Sequence, residues 1–456
     1  MEEVLSTPVQ TLEVSTDQRV SFAPVEESER IRALDSLRGF ALLGILLMNI
    51  VAMGVYPSAY DNPTVYGGST GANLWVWVVL HVLAEGKMRC LFSMVFGASV
   101  MLLTTRLEKR GDSADIYYRR TLWLLLFGVA HAFLLWLGDI LYPYALCALA
   151  LYPFRKLPAK TLLWIGAIVV VGGVGVSVFG GFHTRNLIRD GRAAESAVAR
   201  GDKLDDKQQD AKKAYDEWKK GNQPDAATIK KDADEWRGNP LHVIGIRATY
   251  VAGYEHNTPY YGFASWDIWS MMLIGMALFK LGVLTAERSA GFYAKLALIG
   301  YGIGIPLNSY TAWVIIKNHF DPVISGFTGT TYDLGRLTVG LGHLGLVLWM
   351  VRVGALKRLM GLLASVGQMA FSNYILQSVL TAFFFTGYGF KMYGRLERYQ
   401  LYYVVLAVWV VNLVWSPIWL KYYRFGPLEW CWRSLTYWRR QPMRRATELA
   451  AFRSPA

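Results

Sequence analysis

Residues 40–56, FALLGILLMNIVAMGVY, decide the class of this protein. The stretch holds no acidic, basic or histidine side chain, and Asn49 is its one amide. About 20 apolar residues in a helix cross the hydrocarbon core of a bilayer, and this run approaches that length. Residues 161–182 and 401–420 repeat the pattern. The whole chain of 456 residues is 53% hydrophobic and only 18% charged, against roughly 25% charged in ordinary soluble domains. The charges crowd into the segments between the apolar runs. The expected fold is all-α: a polytopic transmembrane helical bundle of about ten membrane helices.

Working outward, residues 1–30 are polar, mixed in charge and without an apolar core. They predict a disordered cytoplasmic tail and no cleavable signal peptide. Residues 31–181 form the N-terminal membrane helices, the first from about Asp35 to Tyr56, then 87–104, 121–137, one ending near Phe154, and 161–181. The short segment 74–84 reads as a re-entrant or interfacial helix. Residues 182–263 are a polar extracytoplasmic insertion, with a solvated helix at 193–220 and solvated His183, His242 and His256. Residues 264–420 carry the C-terminal membrane helices, near 264–281, 291–316, 333–353, 358–386 and 400–420. Residues 421–456 are a basic cytoplasmic tail. In it, 425–437 should lie along the inner interface with Glu429 and Arg433 paired at i, i+4.

Lys and Arg concentrate in alternate short loops, at 106–120, 155–160, 280–295 and 352–358. The positive-inside rule then puts both termini in the cytoplasm. The net charge of +13 suits a face against anionic lipid, and no basic stripe on a soluble domain points to nucleic acid. Cys90, Cys147 and Cys431 are odd in number and scattered, which gives neither a disulfide framework nor a metal pattern.

Ionisable groups inside membrane helices are costly and need a reason. His131 stands in such a run, eleven residues beyond Arg120. Eleven residues are about 17 Å of rise with about 20° of rotation, so the two share a face. Arg38 and Asn49 repeat the spacing on the first helix. His131 reads either as a catalytic base or as a histidine bonded to a neighbouring helix. Asp139 reads either as a helix N-cap or as the carboxylate that orients His131. Asp35 and Arg38 can form an interfacial pair, and Arg336 and His343 share a face. His81 and Glu85 have an i, i+4 spacing with no third ligand, so no metal is expected.

Five stretches in order carry a resemblance: RIRALDSLRGFALLGILLMN (30–49), EGKMRCLFSMVFGAS (85–99), GVAHAFLLWLGDILYPYAL (128–146), GQMAFSNYILQS (367–378) and FGPLEWCWRSLTY (425–437). Together the sequence resembles the YeiB-like family of bacterial inner-membrane proteins. That family looks related to the transmembrane acyltransferases, among them heparan-glucosaminide acetyltransferase and polysaccharide acyltransferases. The resemblance implies a bacterial inner-membrane location, an acyl-CoA or acetyl-CoA donor from the cytoplasm, and an extracytoplasmic glycan or small-molecule acceptor. The Arg120–His131 spacing matches the arginine–histidine motif of the polysaccharide enzymes. Those enzymes carry a histidine where this sequence has Asn49, and the heparan enzyme looks to have Asn there.

On this reading His131 is the general base, Asp139 fixes its tautomer and Asn49 donates to the oxyanion. Arg38, Lys87, Arg89 and Arg120 bind donor phosphates. Asp35, Arg336, His343 and Asn373 are candidate substrate-binding groups. Membrane lipids are the surroundings, and a homo-oligomer is compatible with the sequence. The rival classes are a transporter of a small or lipid-linked solute and a non-catalytic membrane scaffold.

Overall fold

The computed structural model describes residues 31–111, 114–255 and 259–445. The expected tail 1–30, the last part of 421–456 from residue 446, and His256 lie outside the described residues or their described side chains. The helices are α1 Arg32–Gly54, α2 Gly71–Leu83, α3 Lys87–Lys109, α4 Ala114–Leu134, α5 Leu141–Leu151, α6 Ala159–Ala199, α7 Asp206–Asn222, α8 Ala226–Trp236, α9 Pro240–Tyr250, α10 Pro259–Lys280, α11 Ala290–Lys317, α12 Pro322–Val353, α13 Lys357–Gln368, α14 Ala370–Phe385, α15 Leu401–Tyr422 and α16 Pro427–Tyr437. Among the described residues there is no strand.

The protein is an all-α bundle of the membrane type. Among the described residues, six helical segments are long and apolar enough to cross a bilayer, counting α2 with α3, and the bent pair α13–α14 makes a seventh. All ten runs expected from the sequence are helical. Those outside the seven are α4, α5 and α10. α4 carries Asp115, Arg119, Arg120 and His131, α5 has only 11 residues, and α10 carries Asp267 and ends on Lys280. α4 and α5 pack together as a hairpin.

Glycine sets how closely the helices cross. A Cβ on Gly97 of α3 would run into the Met272 carbonyl of α10, and one on Gly275 of α10 into the Met94 carbonyl of α3. Gly39 of α1 and Gly367 of α13 make the same reciprocal approach through Leu363 and Asp35. Without a hydrophobic driving force between helices in lipid, such small-residue contacts supply much of the packing energy.

The boundary expected at residue 181 falls inside a helix. α6 continues unbroken to Ala199, 41 residues in all, about 60 Å, twice the hydrocarbon thickness. α7 returns along its far half, with Tyr215 against Gly191. A capping box at Asp205 and Gln208 starts α7, and Asp225 and Asn239 cap α8 and α9. α8 and α9 then lie over one end of the bundle. Trp236 and Val243 join a buried cluster with Trp136, Phe385 and Tyr393. Arg247 donates to the Leu134 carbonyl at 2.6 Å, closing the end of α4.

Two predictions follow from this packing. Gly275→Leu forces α3 and α10 apart and should cost at least about 2 kcal/mol, read as a lower melting temperature in detergent. In α8, burial pushes the Asp232 carboxyl up to about 6, although the Tyr393 hydroxyl at 3.0 Å pulls it down. The folded group holds its proton more tightly than the unfolded one. Its contribution is therefore full below about pH 4 and is lost as pH rises through about 6, worth at most about 3 kcal/mol. Proteolysis of the α7–α9 region should accelerate between pH 5 and 7, and Asp232→Asn should flatten that dependence.

Candidate functional site

α4 rises from Arg120 to His131, and the chain then turns at Gly138 and Asp139 into α5. The turn brings Asp139 back onto the histidine. Asp139 Oδ1 lies 2.7 Å from His131 Nδ1, and Oδ2 accepts the Tyr142 backbone N–H at 2.6 Å. Asp139 thus bonds both the first turn of α5, whose N-cap is Ile140, and the His131 ring. The other ring nitrogen, Nε2, is 2.9 Å from the Ser378 hydroxyl on α14. His131, Asp139 and Ser378 are 3%, 6% and 1% exposed. Toward an ionised Asp139 the ring donates from Nδ1, which leaves Nε2 to share its hydrogen bond with the Ser378 hydroxyl. The Tyr374 ring packs 5.0 Å from the imidazole, and its hydroxyl accepts the Ile140 N–H at 3.1 Å.

Below this relay is a cavity of about 270 Å³ whose walls include Arg38, Arg106, Arg120 and Arg433. All four stand at the bundle end where α1 and α4 begin and α3 finishes. Deeper walls are apolar, with Phe92, Leu124 and Phe371. On α14 the lining ends at Tyr374, one turn short of Ser378. Arg38 is held by Asp35 at 2.6 Å and Ser99 at 2.9 Å. The Arg120 guanidinium stacks 3.8 Å over Trp432 of α16. On the other side of the relay a second space of about 50 Å³ is lined by Trp136, Trp236, Arg247, Thr381 and Ala382. It lies beneath the α8–α9 cap.

Several expected site residues stand elsewhere. Lys87 and Arg89 open α3 at the far side of the break after α2, away from the arginine-lined cavity. Lys87 is fully buried and donates to the His81 carbonyl at 2.5 Å, while His81 pairs with Glu85 at 2.6 Å. Arg89 and Arg336 share Asp267 of α10, Arg89 at 2.7 Å, and Arg336 also meets Asp333 at 2.7 Å. His343 donates from Nε2 to the Leu83 carbonyl at 2.8 Å and accepts from Tyr301 at 2.8 Å. Lys87, Arg89, Arg336 and His343 therefore stitch α2, α3, α10 and α12 together. Asn373 is tied to Val366, Ser416 and Trp415, which makes it interhelical glue. Both nitrogens of His131 are engaged by Asp139 and Ser378, and Asn49 is not part of the relay. Glu429, expected opposite Arg433, accepts the Phe371 and Ser372 N–H groups at 2.7 and 3.1 Å and the Ser372 hydroxyl.

Ser378, Tyr374 and Asp267 were not singled out from the sequence. Ser378 closes the stretch 367–378, and Asp267 is a lone acid in the run 264–281; these were the available signals.

The family profile described as "Protein of unknown function (DUF418)" matches residues 278–439. The chain is 30% identical to the uncharacterized protein YeiB of Escherichia coli K12 over 414 residues, covering 90% of this chain and 96% of that one. It is 31% identical to the uncharacterized protein YxaH of Bacillus subtilis 168 over 446 residues, 94% of this chain and 100% of that one. A 39.9 kDa protein from the amylase 3′ region of Bacillus acidopullulyticus is 27% identical over 424 residues, 92% of this chain and 97% of its own. No solved structure matches. With the five ordered segments, near full-length coverage and the C-terminal domain in agreement, the chain belongs to the YeiB-like family.

Proposed function

We propose that this protein is a transmembrane acyltransferase of the bacterial inner membrane. It moves an acyl group from cytoplasmic acyl-CoA to a hydroxyl or amine on an extracytoplasmic glycan or small molecule. One arrangement carries the reading: a buried Asp139–His131 pair stands just beyond the Tyr374 end of a cavity that is arginine-lined at its mouth and apolar inside. The arginine end is the cytoplasmic one by the positive-inside rule.

Each part has a chemical task. Arg38, Arg106, Arg120 and Arg433 suit phosphate groups, for which guanidinium gives forked, charge-assisted bonds. The apolar depth of the cavity suits the pantetheine arm and acyl chain. Asp139 holds the proton on Nδ1 and stabilises the imidazolium that forms when Nε2 takes a proton from the attacking group. The second space under α8 and α9 suits the reacting end of the acceptor, and the rest of the insertion shields it from bulk water.

A carrier reading draws on the Arg89–Asp267–Arg336–Asp333 network, since buried charge is also how transporters couple ions. CoA separates the two. Under the acyltransferase reading, 1 mM CoA raises the melting temperature of the detergent-solubilised protein by several degrees. Replacing Arg38 and Arg120 together with Gln weakens that binding by at least about tenfold, or about 1.4 kcal/mol. In proteoliposomes His131→Ala abolishes transfer from acyl-CoA while the protein remains monodisperse. Transfer at the wild-type rate by that variant would remove His131 from the chemistry.

A further inference from the structure

We infer that Ser378 Oγ carries the acyl group between the two spaces, so that the reaction runs through a covalent acyl-serine. The inference rests on the acyltransferase reading and adds to it the identity of the group that is first acylated.

Hydrogen-bond geometry supplies the first argument. A serine or threonine inside a membrane helix ordinarily donates to the carbonyl four residues back. Ser93, Ser99, Thr104, Thr381 and Thr386 do so here at 2.8–2.9 Å. Ser378 stands 3.3 Å from its own such acceptor, Tyr374 O, and 2.9 Å from His131 Nε2. Its hydroxyl thus bonds its own carbonyl at long range and lies closer to the imidazole, on whose neutral Nε2 it can place its proton. With Asp139 on Nδ1, this is the nucleophile, base and orienting group of an activated hydroxyl.

Position supplies the second argument. On α14 the arginine-lined cavity ends at Tyr374, and the space under the cap begins at Thr381. Ser378 lies one turn from each, and neither space is lined by the relay itself. A donor in one and an acceptor in the other do not share a chamber. A group between them that is acylated from one side and relieved from the other solves this, with the Tyr374 ring turning aside to admit the thioester.

The steps balance. Ser378 Oγ attacks the thioester carbonyl carbon as its proton passes to His131 Nε2. The C–S bond breaks, the thiolate takes that proton and leaves as CoA thiol, and an ester remains on Oγ. The acceptor hydroxyl or amine then attacks the ester carbonyl, giving its proton to Nε2. The C–Oγ bond breaks and Oγ recovers the proton from His131.

The full chain in detergent is incubated with radiolabelled acetyl-CoA or palmitoyl-CoA and no acceptor, and with a fluorophosphonate probe in parallel. Expected are a burst of CoA thiol stoichiometric with protein, one acyl label on the Ser378 peptide, and fluorophosphonate at the same residue. Ser378→Ala loses all three, and His131→Ala slows them at least about 100-fold. Ser378→Cys guards against a folding artefact, because it should carry the label as a thioester released by hydroxylamine at neutral pH. Fluorophosphonate at Ser378 without a burst or label from either CoA ester supports the serine nucleophile and overturns the CoA donor. A burst and label that survive in Ser378→Ala overturn the carrier while leaving the acyltransferase reading intact.

Discussion

A helix that begins inside an apolar bundle exposes backbone N–H groups that water cannot reach. α14 begins in this way, after an 85° bend from α13. The Glu429 carboxylate of α16 takes the Phe371 and Ser372 N–H groups and the Ser372 hydroxyl. A negative group there also meets the positive end of the helix dipole. This one cap sets where α14 starts and hence the register of everything along it. Asn373 then reaches α15, Tyr374 reaches the α4–α5 turn, and Ser378 reaches His131. The C-terminal segment is therefore a structural partner of the site.

The site combines elements far apart in the chain. His131 and Asp139 come from one hairpin, Ser378 from a helix 247 residues away from His131, and the cap above them from the polar insertion. Each contributes something the others lack: the hairpin a fixed imidazole, α14 a hydroxyl, and α8–α9 a lid anchored through Arg247 on the Leu134 carbonyl. Glycine crossings between α3 and α10 and between α1 and α13 hold the frame around them.

Much of this was legible in the sequence where the signal is local. Apolar length marks the helices, and a histidine and an aspartate eight residues apart mark a turn that can fold one onto the other. Ser378 was not legible, because a serine in a membrane helix normally bonds the carbonyl four residues back and nothing in its neighbours distinguishes one that also lies against a histidine. Lys87 and Arg89 misled for a different reason. Their charge suggested the phosphate-binding end, but Gly86, in the left-handed conformation at φ +69°, breaks α2 from α3 and lodges both side chains among helices. Glu429 could pair locally with Arg433, and only the position of α14 shows where its oxygens go. The end of α6 was misread because apolar composition stops near residue 181 while helix propensity does not.

The stitching network has an electrical side. Arg89 and Arg336 gather with Asp267 and Asp333, two guanidinium groups with two carboxylates. Such a cluster has no net charge for a transmembrane voltage to pull on, and the work of shifting it through the field vanishes to first order. It can brace three helices in an energised membrane without turning the bundle into a voltage sensor. The scaffold would then hold the same shape whether the membrane is polarised or collapsed.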